Sequence, residues 1–156
     1  CYEGGHRVPF IVRWPNQTPA STVNEHLICH TDMLATLAAL TGEQISVGQA
    51  QDSINQSPLL FMPQLDQPPR NTLITSNNPK YFGVRMGQWK MITGLGSGGF
   101  TQPRDLKPKE GGPAGQLFNL SEDLSETNNL WQKYPEIVEQ LESILRKSKE
   151  AGKTQP

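Results

Sequence analysis

The feature that most limits what this chain can fold into lies near its start. Phe10-Ile11-Val12 is an unbroken apolar run within residues 8–14. A run with no polar face reads as a strand buried on both sides, as in a parallel sheet covered by helices. Pro9 has no N–H and removes one ladder bond, so the strand proper starts after it. Trp14-Pro15-Asn16 ends it. Gly4 and Gly5 precede the run and mark a tight turn or a close backbone approach. Glu3, His6 and Arg7 sit beside these glycines. Ligands of open α/β sheets gather at strand ends, so Glu3, His6 and Arg7 are candidates for the edge of a site.

Residues 31–42 carry a helix pattern. Thr31 suits the N-cap and Asp32 the positive end of the dipole. Met33, Leu34, Leu37, Ala38 and Leu40 form an apolar stripe, and Gly42 stands where a C′ glycine belongs. A strand followed by a helix is the order of an α/β layer. Residues 43–69 are polar and punctuated by proline, apart from a short apolar stretch at 59–62.

The second half reads differently. Residues 72–75 form a short strand. Residues 81–85 and 89–93 flank Met86-Gly87-Gln88 as an antiparallel hairpin. Residues 116–120 make a fourth strand, after a Gly/Pro-rich excursion at 94–115 that is too long for a simple hairpin. A last helix opens with Pro135 at its first position and carries Ile137, Val138, Leu141, Ile144 and Leu145 on one stripe, and Gly152 stops it. The expected architecture is therefore α/β plus α+β. Residues 1–50 are the end of an α/β domain and 51–69 a linker. Residues 70–156 are a subdomain of four antiparallel strands with a C-terminal helix.

The bulk numbers exclude several functions. With 14 Lys and Arg against 15 Asp and Glu, the net charge of −1 gives no electrostatic case for nucleic acid or an anionic membrane. No apolar run approaches the roughly 20 residues of a membrane span. The two cysteines, Cys1 and Cys29, are too few for a disulfide framework.

Several patterns suggest chemistry and then fall short of it. Gly94-Leu95-Gly96-Ser97-Gly98-Gly99 matches G-x-G-x-x-G, but a dinucleotide site needs a helix opening directly behind it. Phe100-Thr101-Gln102-Pro103 follows instead, so the segment reads as a loop. His26, Cys29, His30 and Asp32 are all zinc-ligand types, yet no second pair stands at a ribbon or finger spacing. From Asp123 the calcium-loop template wants glycine sixth and glutamate twelfth, and finds Asn128 and Tyr134. No G-x-S-x-G elbow is present. No residue of the chain is assigned as catalytic or metal-binding.

The stretches Tyr2-Glu3-Gly4-Gly5-His6-Arg7-Val8-Pro9-Phe10, Trp14-Pro15 and Thr31-Asp32-Met33-Leu34-Ala35-Thr36-Leu37-Ala38 resemble the late region of the sulfatase family, the arylsulfatase-like enzymes. Val84-Arg85-Met86-Gly87-Gln88-Trp89-Lys90-Met91-Ile92 is similar to that family's C-terminal hairpin. Leu117-Phe118-Asn119-Leu120-Ser121-Glu122-Asp123-Leu124-Ser125-Glu126-Thr127-Asn128-Asn129-Leu130 is similar to its "LYDL..DP.E..NL" segment. The match runs in order over nearly the whole chain.

The resemblance implies an alkaline-phosphatase-like α/β domain ending near residue 50, then a small antiparallel subdomain. It implies hydrolysis of sulfate esters by a formylglycine nucleophile with a calcium ion. Neither Cys1 nor Cys29 lies in a C-x-P-S-R motif. The implied nucleophile, metal ligands and sulfate-binding lysine all fall before Cys1, in a missing N-terminal catalytic domain. The chain would then begin at the lip of the active site, with Glu3, His6 and Arg7 near it and His6 facing substrate, and by itself would be inactive. The implied partner is a sulfated small molecule or sulfated glycan, and the implied compartment is periplasmic or extracellular. A phosphate or phosphonate ester hydrolase of the same superfamily is the alternative. A non-catalytic binding module derived from a sulfatase is another. Without its neighbours the run at 10–12 is expected to expose apolar surface.

Overall fold

Four short strands and one long helix form where the sequence alternates and where it repeats at 3.6 residues. The computed structural model describes residues 1–62 and 64–154. Pro63, inside the expected linker, and Gln155 and Pro156, at the end of the expected subdomain, lie outside the described residues. The strands are β1 (Thr72–Asn78), β2 (Tyr81–Met86), β3 (Trp89–Ile92) and β4 (Gln116–Asn119). They pair antiparallel in the order β1-β2-β3-β4. Met86 opposes Trp89, so Gly87-Gln88 is a two-residue turn. Gly87 has φ 55°, the positive value that a primed turn with glycine first requires.

The pleat divides the side chains of this sheet between two faces. Val84, Met91 and Leu117 point to one face and meet Val138, Leu141 and Leu145 of the C-terminal helix, Pro135–Ala151. Tyr81, Ile92, Phe118 and Leu120 make a second cluster, joined by Cys1 and Tyr2. Opposite Phe118 in the register stands Lys90, a lysine on a buried strand. Period 2 sets it two residues from Ile92, so it needs partners that the sheet does not hold.

Two compact units account for the chain. One comprises Cys1–Val8 and Thr72–Ala151, the other Pro9–Asn71 and Gly152–Pro156. The first eight residues therefore group with the antiparallel sheet, whereas the sequence reading placed them at the end of an α/β domain.

In the second unit, a 3-10 turn at His30–Asp32 leads into a helix at Met33–Thr41, which ends at Gly42 with φ 77°. Asp32, not Thr31, stands at the N-cap of that helix. A short helix, Ser57–Phe61, lies within the expected linker.

The expected strand at residues 8–14 is not formed. Among the described residues no strand lies beside it, and without a ladder an apolar run cannot be a strand. Val8, Phe10, Ile11, Val12 and Trp14 are exposed. Two residues of the stripe on Met33–Thr41 are likewise turned out, with Leu34 58% and Leu37 57% exposed, while Met33, Ala38 and Leu40 are half-buried and Asp32 and Thr36 are buried.

The helix–sheet core sets a measurable expectation. Leu141→Ala is expected to cost about 2–5 kcal/mol in urea unfolding followed by tryptophan fluorescence, because Leu141 is fully buried. Gln140→Ala, one residue away and exposed, is expected to stay within about 0.5 kcal/mol.

Candidate functional site

Glu3 begins a single helical turn, Glu3–His6, closed by Gly5 N–H to Tyr2 O and Arg7 N–H to Glu3 O, both 2.9 Å. The turn sits on the sheet face that carries Lys90. Gly83 of β2 lies on the same face, and a Cβ there would strike Thr75 Oγ1 at 2.6 Å. Tyr2 fixes the turn from the other side. Its hydroxyl donates to Gln116 Oε1 at 2.8 Å, and the Gln116 amide donates to Gly94 O and Gly96 O.

Lys90 is 2% exposed and Glu3 4%. The Lys90 ammonium donates to Glu3 Oε1 at 2.9 Å. It lies 2.8 Å from Glu126 Oε1 on its other side, an ion-pair approach in which that oxygen accepts no hydrogen bond. Glu126 Oε2 accepts the Glu3 backbone N–H at 2.5 Å. Lys90 Nζ also lies 3.3 Å from His6 Nε2, and Arg85 Nη1 lies 3.6 Å from Glu3 Oε2. Two carboxylates thus face an ammonium and a guanidinium, and the cluster balances with His6 neutral. Arg7 is exposed and takes no part in these ion pairs.

Glu126 reaches this site through a strained backbone, with φ 56°, a left-handed value that glutamate rarely adopts. The Asp123 carboxylate shapes the turn by accepting the N–H groups of Thr127 and Asn128, both at 2.8 Å. The polar stretch at 123–129 is therefore the bracket that aims one acid inward.

Burial works against the Glu3 charge, but the Lys90 hydrogen bond and charge, with His6 and Arg85, outweigh it. Its carboxyl is held below the ordinary range. Burial lowers the His6 pKa, and the Lys90 charge lowers it further, against Glu3 and Glu126.

The glycine-rich loop has a packing explanation. A Cβ on Gly94 or Gly98 would strike the Tyr81 ring at 2.5 and 2.7 Å, and one on Gly96 would meet Pro103 O at 2.7 Å. The Tyr81 hydroxyl shares its one hydrogen between Leu95 O at 2.8 Å and Asp105 Oδ1 at 2.7 Å, which ties the loop to the sheet.

A separate ionic centre lies in the other unit. Asp32, fully buried, accepts from Arg70 Nε at 2.9 Å and Nη2 at 2.5 Å, from Ile54 N–H at 3.0 Å and from the Gln56 amide at 2.9 Å. Among the described residues no group of three His, Cys, Asp or Glu is arranged to hold a metal ion. The buried acids Glu3, Glu126 and Asp32 already face Lys90 and Arg70, so this donor set does not fit a calcium ion.

Of the three residues singled out from sequence, Glu3 and His6 come together and Arg7 stays outside. Lys90, Glu126 and Arg85 had no assigned role. The available signal was a lysine in an otherwise apolar β3 and an acid in a dense polar turn.

The chain shares its fold with part of a larger protein. It superposes with a TM-score of 0.75 on a solved structure from work on the metabolism of multiple glycosaminoglycans by Bacteroides thetaiotaomicron. The two are 30% identical, and the match covers 94% of this chain and 30% of that one. Residues 1–43 match the family model described as Sulfatase, and the chain belongs to the sulfatase family. An N-acetylgalactosamine-6-O-sulfatase of Bacteroides thetaiotaomicron is 31% identical over 96% of this chain. Arylsulfatase G of Rattus norvegicus is 28% identical over 93%. The chain spans 28% of the length of each of these two relatives.

The cluster makes stability depend on pH in two steps of the same sign. The folded His6 pKa lies below the unfolded value of about 6.5, so the unfolded state takes up a proton first and stability falls below that pH. The folded Glu3 pKa is also depressed, so its contribution is full above about pH 4.5 and is lost as pH falls through its folded value. His6→Gln is expected to remove only the first step in urea titrations at successive pH values. Lys90→Met, which strands two buried carboxylates, is expected to cost about 3–5 kcal/mol near neutral pH.

Proposed function

We propose that this chain is the C-terminal part of a sulfuric ester hydrolase acting on a sulfated carbohydrate. The observation that carries the reading is the 31% identity over 96% of the chain to an N-acetylgalactosamine-6-O-sulfatase. The Sulfatase family model matches residues 1–43, which include the turn at Glu3–His6. The buried cluster supports the reading, because it ties the Glu3-Gly4-Gly5-His6 turn to Lys90 and Glu126 in the sheet unit.

The chemistry of the class calls for a formylglycine and a calcium ion, which together supply a nucleophile and neutralise the sulfate oxygens. Cys1 and Cys29 lack the C-x-P-S-R context, and the buried acids are already paired. No step is therefore assigned to these residues through either group. What this chain contributes is position. Lys90 and Glu126 hold Glu3, Glu3 begins the turn, and the turn presents His6 with its side chain 32% exposed.

Sequencing the encoding DNA upstream of Cys1 tests the reading. The frame is expected to continue back through a lysine just upstream to a C-x-P-S-R motif, and the protein it encodes is expected to release inorganic sulfate from N-acetylgalactosamine-6-sulfate. A Thr or Ser in place of that motif's cysteine, with release of phosphate from phosphate esters instead, would move the protein to phosphoryl chemistry. A start codon directly before Cys1, with binding of sulfated glycan but no hydrolysis, would make it a binding module.

A further inference from the structure

The Lys90 ammonium has three N–H donors and no acceptor. It donates to Glu3 Oε1 at 2.9 Å, forms an ion pair with Glu126 Oε1 at 2.8 Å, and lies 3.3 Å from His6 Nε2. A protonated Nε2 would point an N–H at a group that can only donate. The charged groups around the ring agree with this. Lys90 stands against Nε2, Glu3 Oε1 is 3.5 Å away, beyond hydrogen-bond range for an N–H, and Arg85 and Glu126 pair with the other cluster members. His6 Nε2 must therefore accept, and the proton of the neutral ring sits on Nδ1. Among the described residues Nδ1 has no hydrogen-bond partner, although the side chain is only 32% exposed.

The two neighbouring glycines add a second observation. Gly4 and Gly5 lie inside a helical turn with no positive φ, and a Cβ on either would meet nothing within 4 Å. Alanine would favour that turn by about 1 kcal/mol per residue. Neither backbone conformation nor crowding within this chain explains their bareness. They leave an open face beside His6 that a ligand can approach closely.

We propose that His6 is a substrate-orienting residue, held by Lys90 as the neutral Nδ1–H tautomer and donating that N–H to a hydroxyl or sulfate-ester oxygen of a sulfated sugar lying over Gly4 and Gly5. The substrate class rests on the sulfatase reading above, and the tautomer does not. Lys90 acts here as a positioning residue, through His6.

The experiment uses the full-length protein that carries this chain, labelled with ring-15N histidine. Long-range 1H–15N spectra at neutral pH are expected to show His6 as the neutral Nδ1–H tautomer. A predominant Nε2–H tautomer, or an imidazolium at that pH, would overturn the proposal. Calorimetric titration with N-acetylgalactosamine-6-sulfate then separates the variants. His6→Asn places an amide N–H near the Nδ1 position and is expected to keep Kd within about 3-fold. His6→Gln, with its N–H near the Nε2 position, and His6→Ala are expected to weaken binding about 10-fold, the scale of one lost hydrogen bond. Kd values for all three equal to that of the wild type would overturn the substrate role. If the wild type binds the sugar but releases no sulfate, the hydrolase reading falls while the spectra and titrations still judge His6.

Discussion

A buried ammonium between two carboxylates is the interaction on which the rest of this structure depends. Lys90 occupies a sheet position that its neighbours Ile92 and Phe118 would fill with carbon, so its charge must be met on the spot. Glu3 meets it from the first residues of the chain and Glu126 from beyond β4. Two stretches that share no strand and lie 123 residues apart are thereby fixed to one atom and to each other. An apolar core in place of Lys90, Glu3 and Glu126 together would fill the space as well. It would leave nothing to orient His6, and the Glu3–His6 turn would lose the anchor that sets its direction.

The sheet gives this cluster its stiffness. Period 2 on β3 sends Met91 to the C-terminal helix and Lys90 to the other face, so the apolar and ionic contacts hold the same strand from opposite sides. The strained backbone of Glu126 belongs to the same economy of space. A left-handed glutamate persists where its surroundings over-determine it, and here the Asp123 turn and the Lys90 contact both do.

Sequence periodicity was a good guide wherever the partner surface lay in the chain. All four strands and the final helix came out within a few residues of their patterns, because each buries one face against another of them. The site was half legible. Glu3 and His6 were visible as ionisable residues beside paired glycines, but Lys90 and Glu126 were not, since nothing local tells a strand lysine that snorkels from one that is enclosed. The glycine run at 94–99 read correctly as a loop, but its packing was hidden for a related reason. Its glycines clear the Tyr81 ring and the Pro103 backbone, and a contact across such a separation leaves no mark on spacing. Residues 8–14 failed in the opposite way, with a strong pattern and no ladder to join.

That failure carries its own information. The helix at Met33–Thr41 turns Leu34 and Leu37 to solvent and buries Asp32 and Thr36, the reverse of an ordinary surface helix. Its inner side is held by polar bonds, Asp32 to Arg70, Gln56 and Ile54, and Thr36 Oγ1 to the Asp32 carbonyl and the Gln56 N–H. A polar network of this density fixes a helix without an apolar core beneath it. The same unit leaves the run at 10–12 uncovered. Both features follow if the apolar surfaces belong to a core completed by more polypeptide than this chain holds, as the proposed sulfatase requires. The polar network would then fix the orientation of the helix independently of that core.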